Sequence, residues 1–296
     1  MIEWAQSDAS SPPDTWRSMP AYTLTQLWAK SNGLPDPGIE VERILNDIAL
    51  SGHRNSNEVL AAKAKKFLIS LQDRYQTFTE DAIPHLQAYL PSGTPITGRI
   101  IFALFIPAYA FTWIGNDANS IVINLTASFW QWNPDRVFNL LVHEMYHIGV
   151  AYHQMGESVT EVSTVEALLE NVLWQIQNEG LATYVAYRAR PEELGIEDYR
   201  LLNNSVEVRA RFEMVQCLLT DLRQMDLKRI PEFQKRIWNE GIKSRAFYVV
   251  GASMARRIEE NKDRSTLIRT IENGAQSFFA EFSATSPSSE LRIPVI

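Results

Sequence analysis

Residues 143 to 147 read His-Glu-Met-Tyr-His. On a helix, positions four apart lie on one face. His143 and His147 can therefore offer two imidazole nitrogens to a single metal ion. Glu144 is offset by one residue and reaches the side of such an ion, not its centre. A carboxylate there is placed to serve as general base towards a zinc-activated water. The flanking residues suit a helix. Asn133-Pro134-Asp135 supplies an N-cap, a proline at the first helical position and an acid in the first turn. Val137, Leu140, Leu141, Ile148 and Ala151 give the helix a core-facing side, and Gly149 would let another backbone come close. Two histidines on a helix can also be merely structural, so the case turns on a third ligand.

A catalytic zinc keeps three protein ligands and one open position. His153 follows His147 by six residues, at or just beyond the end of the same helix. Glu179 follows by thirty-two, in Asn178-Glu179-Gly180-Leu181-Ala182. Helical phase favours Glu179. At about 100° per residue, Val165, Leu168, Val172, Ile176, Glu179, Thr183 and Ala186 share one stripe. A carboxylate in an apolar stripe is costly to bury without a partner, and a dication is such a partner. A buried arginine is the alternative. Glu166 belongs to a capping box that starts at Ser163, and Glu170 falls on the solvated side. Gly180 and Ala182 would let this helix approach the histidine helix. Thr183, one turn on, could support a ligand from behind.

His-Glu-x-x-His followed on a later helix by Asn-Glu-Gly-x-Ala resembles the gluzincin branch of zinc metallopeptidases, and in particular a group of little-characterised bacterial zinc-dependent peptidases. The resemblance covers roughly residues 99–260. It implies a zincin-like catalytic domain, Zn2+ held by His143, His147 and Glu179, Glu144 as general base, and a peptide or protein substrate. It also implies that an edge strand ahead of the histidine helix pairs with the substrate backbone, and residues 120–125 stand where that strand should be. Similar enzymes use a tyrosine or histidine to stabilise the oxyanion of the tetrahedral intermediate. Phe247-Tyr248-Val-Val-Gly251 resembles their Tyr-x-x-Gly element, which nominates Tyr248, with Tyr184 and Tyr187 as rivals. Thermolysin-like relatives carry an acid four residues after the ligand glutamate, and here that position is Thr183. Two other readings stay open: a zinc hydrolase of a non-peptide bond, and an inactive helical scaffold that mediates protein contacts.

The elements that must position these residues read as an α+β, predominantly helical chain. A helical N-terminal region is expected over residues 1–95, with helices near 22–30, 39–50 and 57–75 and a further piece towards Leu90. Pro91, Gly93 and Pro95 stop it. The metallopeptidase domain is expected over residues 96–296, and the two parts could form one continuous unit. Residues 99–112 and 120–125 read as strands of a small antiparallel sheet. Later helices are expected near 163–189, 199–223, 231–240, 245–260 and 265–282.

Composition narrows the classes. The net charge of −7 gives no footprint for nucleic acid. Lys63, Lys65 and Lys66 read as a solvated helix face. The single cysteine, Cys217, excludes an internal disulfide and reads as a buried inert thiol. His53 and His85 have no ligand partner in view, and Trp130 and Trp132 read as packing. Residues 1–16 lack the basic-then-apolar pattern of a signal peptide, and the apolar run 100–113 is too short to span a bilayer. The chain as it stands reads as cytoplasmic, or as secreted or periplasmic if its N-terminus was trimmed.

Overall fold

The computed structural model describes residues 17–37, 54–103, 106, 108–115, 118–125, 134–154, 162–189 and 197–285. The helix expected at 39–50, His53, Trp130, Trp132, Asn133 and both chain ends lie outside these residues. The described residues are predominantly helical with one three-stranded sheet, an α+β fold. Their elements are α1 (Pro20–Ser31), α2 (Arg54–Gln87), β1 (Arg99–Ala103), β2 (Ala110–Trp113), β3 (Ser120–Asn124), α3 (Pro134–His153), α4 (Val165–Ala189), α5 (Glu197–Leu202), α6 (Ser205–Arg223), α7 (Ile230–Arg236), α8 (Ala246–Asn261), α9 (Arg264–Asn273) and α10 (Ala275–Thr285). No helix among them is long and apolar enough to cross a membrane. The chain divides into two compact units: Met1–Ala82 with Thr97–Glu144, and Ile83–Ile96 with Met145–Ile296.

The first unit carries the sheet, and here the sequence expectation needs correction. The sheet is mixed, not antiparallel. Its order is β1-β3-β2, with β1 parallel and β2 antiparallel to β3. The stretch expected as one strand over 99–112 is two strands. The segment expected at the edge, β3, is the central strand, and all five of its residues are buried. Its run Ser-Ile-Val-Ile-Asn lacks alternation, as suits a strand covered on both faces. β1 and β2 are left at the two edges. The alternation of β2 sends Phe111 into a cluster with Ala21, Tyr22, Leu24, Ala103, Ile106 and Val122, and Trp28 of α1 stacks on Phe111 with centroids 5.0 Å apart. Burying side chains of this size stabilises by roughly 1.5–3 kcal/mol each. The opposite register sends Thr112 to α3, where its hydroxyl lies 2.9 Å from the Glu144 carbonyl oxygen. Lys63, Lys65 and Lys66 are exposed on α2 while Ala64 and Phe67 are buried, the amphipathic division the sequence predicts.

The second unit is helical. α4 and α8 are its central pair, and each buries most of its residues: α4 including the amides of Asn171, Gln175, Gln177 and Asn178, and α8 chiefly over its apolar first half. Their crossing is fixed by glycine. A Cβ on Gly180 would overlap the backbone of Gly251, and one on Gly251 would overlap the Ile176 carbonyl oxygen. Gly180 thus serves contact with α8. Gly149, expected to face another backbone, instead receives the Leu90 side chain. α4 is capped by Thr164, whose hydroxyl accepts from Ala167 N at 3.1 Å, so the cap falls one residue after the Ser163 expected. The helix expected over 199–223 is broken into α5 and α6 because Asn204 accepts from Val206 N and Glu207 N and restarts the chain. Gly274, at φ 83°, likewise separates α9 from α10. Cys217 is exposed on α6, not buried: its helical phase points away from the side that buries Val215, Leu218 and Leu219.

Candidate metal centre

His143 and His147 sit one turn apart on α3, and Glu179 sits in the middle of α4. One donor atom from each, two ring nitrogens and a carboxylate oxygen, lies within 4.8 Å of the other two. His147 Nε2 and Glu179 Oε2 are 3.5 Å apart. Two ligand atoms about 2.0–2.2 Å from one tetrahedral ion are separated by roughly 3.3–3.6 Å, so this pair has the spacing of ligands around a shared ion. The hydrogen-bond pattern agrees. Asn178 Oδ1, 3.1 Å from His147 Nδ1, can only accept, so the proton of the neutral ring resides on Nδ1. His147 Nε2 and the Glu179 oxygen then face each other as two acceptors, an arrangement that a cation between them stabilises. Nitrogen and oxygen donors of this kind suit zinc.

Glu144 is almost fully buried. Its Oε2 accepts from Thr112 Oγ1 at 2.7 Å, and the same hydroxyl lies within reach of the Glu144 carbonyl oxygen. A strand hydroxyl therefore holds the rotamer of this acid in the middle of α3.

Asn178 and Thr112 escaped the sequence reading. Asn178 had a faint signal, an amide beside a candidate ligand on a helix whose Asn171, Gln175 and Gln177 are also buried. Thr112 had none, because its approach to Glu144 depends on strand order. The support expected from Thr183 is not seen, since its hydroxyl is buried without a hydrogen-bond partner. His153 is engaged elsewhere, with Nε2 2.6 Å from Thr94 Oγ1. His85 is held by the Val185 carbonyl oxygen at 2.8 Å.

Among the tyrosines, Tyr184 donates to Glu259 Oε2 at 2.6 Å and Tyr187 to Asn203 Oδ1 at 3.3 Å, so both rival hydroxyls are occupied away from the ligands. Tyr248 is buried on α8, one turn before Gly251, the residue at which α8 meets Gly180 of α4. Its ring lies under the Arg245 guanidinium, with Cζ 3.2 Å from the ring centroid.

No curated protein and no solved structure matches this chain. A family model does, over residues 50–284, a span that includes every residue of the centre. The chain belongs to the family described as "Putative zinc dependent peptidase (DUF5700)".

Proposed function

We propose that this chain is a zinc metallopeptidase of gluzincin type with a zincin-like catalytic region, in which His143, His147 and Glu179 hold the metal and Glu144 is the general base. The observation that carries the reading is the meeting of two imidazoles from α3 with a carboxylate from α4, distant in sequence, with one donor atom of each within 4.8 Å of the others.

Zinc bound there supplies a Lewis acid that polarises a peptide carbonyl and lowers the pKa of water. Glu144 accepts the proton of the attacking water at Oε1 or Oε2 and later delivers it to the leaving amine. Thr112 supports this by holding the carboxylate oriented through one hydrogen bond. The Nδ1 contact with Asn178 keeps His147 in the tautomer whose Nε2 can ligate. The Tyr248 hydroxyl donates to the carbonyl oxygen as negative charge develops on it.

β2 is the strand suited to bind an extended peptide. It pairs with β3 along one side only, with no strand on its other side among the described residues. β1 is likewise paired on one side only, but β2 carries the hydroxyl that holds Glu144, so β2 is the edge to which a substrate backbone adds, and the central β3 is not.

The test is metal analysis with turnover of a peptide library. About one zinc per chain is expected, and Glu144→Gln should retain it while losing roughly 100- to 10,000-fold in rate. Peptide cleavage that survives this substitution with zinc still bound would sink the assignment of Glu144.

A further inference from the structure

Arg245 is the only non-glycine residue with positive φ among the described residues, at 64°. A side-chain-bearing residue keeps that conformation only where its surroundings over-determine it, and such sites cluster at functional centres. The surroundings here are unusual. The chain reaches Arg245 through a π-helical segment, Ile237–Lys243, a form that occurs mostly as short insertions near functional sites. Arg211 Nε donates to the Ser244 carbonyl oxygen at 3.0 Å and pins the next residue back. The guanidinium then donates twice to Asp198, Nε to Oδ1 at 2.7 Å and Nη2 to Oδ2 at 2.5 Å. This bidentate geometry fixes the plane as well as the position of the cation. That plane covers the face of Tyr248.

We propose that Arg245 is a positioning residue: clamped to Asp198, it holds the ring of Tyr248, one turn before the Gly251–Gly180 crossing, and so aims the phenol hydroxyl for donation to the reacting carbonyl. The inference rests on the reading of Tyr248 as the donor. The glycine contact between α4 and α8 sets the distance between the helices. The stacked cation sets a plane against which the Tyr248 ring is held. Burial disfavours the charged guanidinium, but Asp198 foremost, then Tyr248 and Glu179, more than compensate and keep it protonated. Its charge is already matched by Asp198, so a substrate carboxylate would meet a neutral pair and not a free cation.

Two measurements test the clamp. The first is a double-mutant cycle on the zinc-loaded protein with a cleaved library peptide. Asp198→Asn and Arg245→Lys should each lower kcat roughly 10- to 100-fold with KM little changed. Neither should lower it further when Tyr248→Phe is already present. The second needs neither metal nor turnover. In protein labelled with 13C-tyrosine, the Tyr248 ring signal, identified by its loss in Tyr248→Phe, should move in both variants while the other tyrosine signals stay. Asp198→Asn preserves shape, so this arm does not depend on how well Arg245→Lys folds. An unmoved Tyr248 signal overturns the proposal. So does a kcat loss that multiplies with that of Tyr248→Phe, or a rise in KM at constant kcat, which would make Arg245 a substrate-carboxylate receptor. A signal that moves in both variants, together with a zinc-loaded wild-type protein that cleaves no peptide, keeps the clamp and removes the peptidase reading instead.

Discussion

Gly180 of α4 and Gly251 of α8 meet backbone against backbone, with no room for a Cβ on either. Because the obstructing atoms are main chain, no side chain can turn aside to relieve an added methyl. Gly251→Ala should destabilise the protein by about 3 kcal/mol or more, at the upper end of overpacking costs, and Gly180→Ala similarly. Urea denaturation measures this. A midpoint unchanged in either variant would show that the helices part easily and that the crossing is not a fixed reference for Glu179.

Thr112→Val keeps the shape of the side chain and deletes its only donor. The expected result is a kcat reduced roughly tenfold, in line with the loss of one orienting hydrogen bond of about 1.5 kcal/mol, with zinc content unchanged. Steady-state kinetics with metal analysis checks it. Unaltered kcat would mean that Glu144 holds its rotamer without the strand.

Asn178→Ala should weaken zinc binding about 10- to 100-fold, the usual cost of deleting a hydrogen bond behind a ligand histidine. Competition with a chromophoric chelator reads it directly. Thr183→Val should leave zinc affinity as it is and unfold no more easily than wild type, because the hydroxyl it removes is buried without a partner. The two substitutions lie five residues apart on one helix, so opposite outcomes would restore the original assignment of Thr183.

Stability should fall in acid in two steps. Burial, helped by Arg264 and Arg188, lowers the His85 pKa below its ordinary value, against the Val185 carbonyl and Glu259, which raise it. The unfolded chain therefore binds this proton first, and stability declines as pH drops below about 6.5. Burial raises the pKa of Glu259, but hydrogen bonds from Tyr184 and Arg264 and the charges of Arg264 and Arg188 outweigh it and hold the group below the usual carboxylate value. Its contribution is whole above about pH 4.3 and is lost as pH falls through its lower folded value. Glu259→Gln should cost about 1–3 kcal/mol at pH 7 and flatten the lower step. Urea midpoints taken from pH 8 to pH 3 would show it, and a lower step equally steep in the variant would assign it to other carboxylates.

What was legible in the sequence was local. The histidine pair, the acid between them and the helix that carries them follow from a spacing of four and a proline start. Glu179 stood out because its stripe was otherwise apolar, although α4 turned out to be buried around most of its surface, including Asn171, Gln175, Gln177 and Asn178. The helix breaks at Asn204 and Gly274 were written in residue types that were passed over. The order of the strands was not written in any local pattern. It put β3 at the centre, made β2 an edge and placed Thr112 on Glu144.

The sequence by itself therefore determined which groups are available for chemistry, since helical periodicity binds neighbours along the chain into fixed relative positions. Only the tertiary structure decided which distant groups meet them: Asn178 behind His147, Thr112 on Glu144, Arg245 over Tyr248. These contacts depend on strand order, on a glycine-to-glycine crossing and on a left-handed residue. Each is set by packing between segments tens of residues apart, and a one-dimensional pattern does not record that packing.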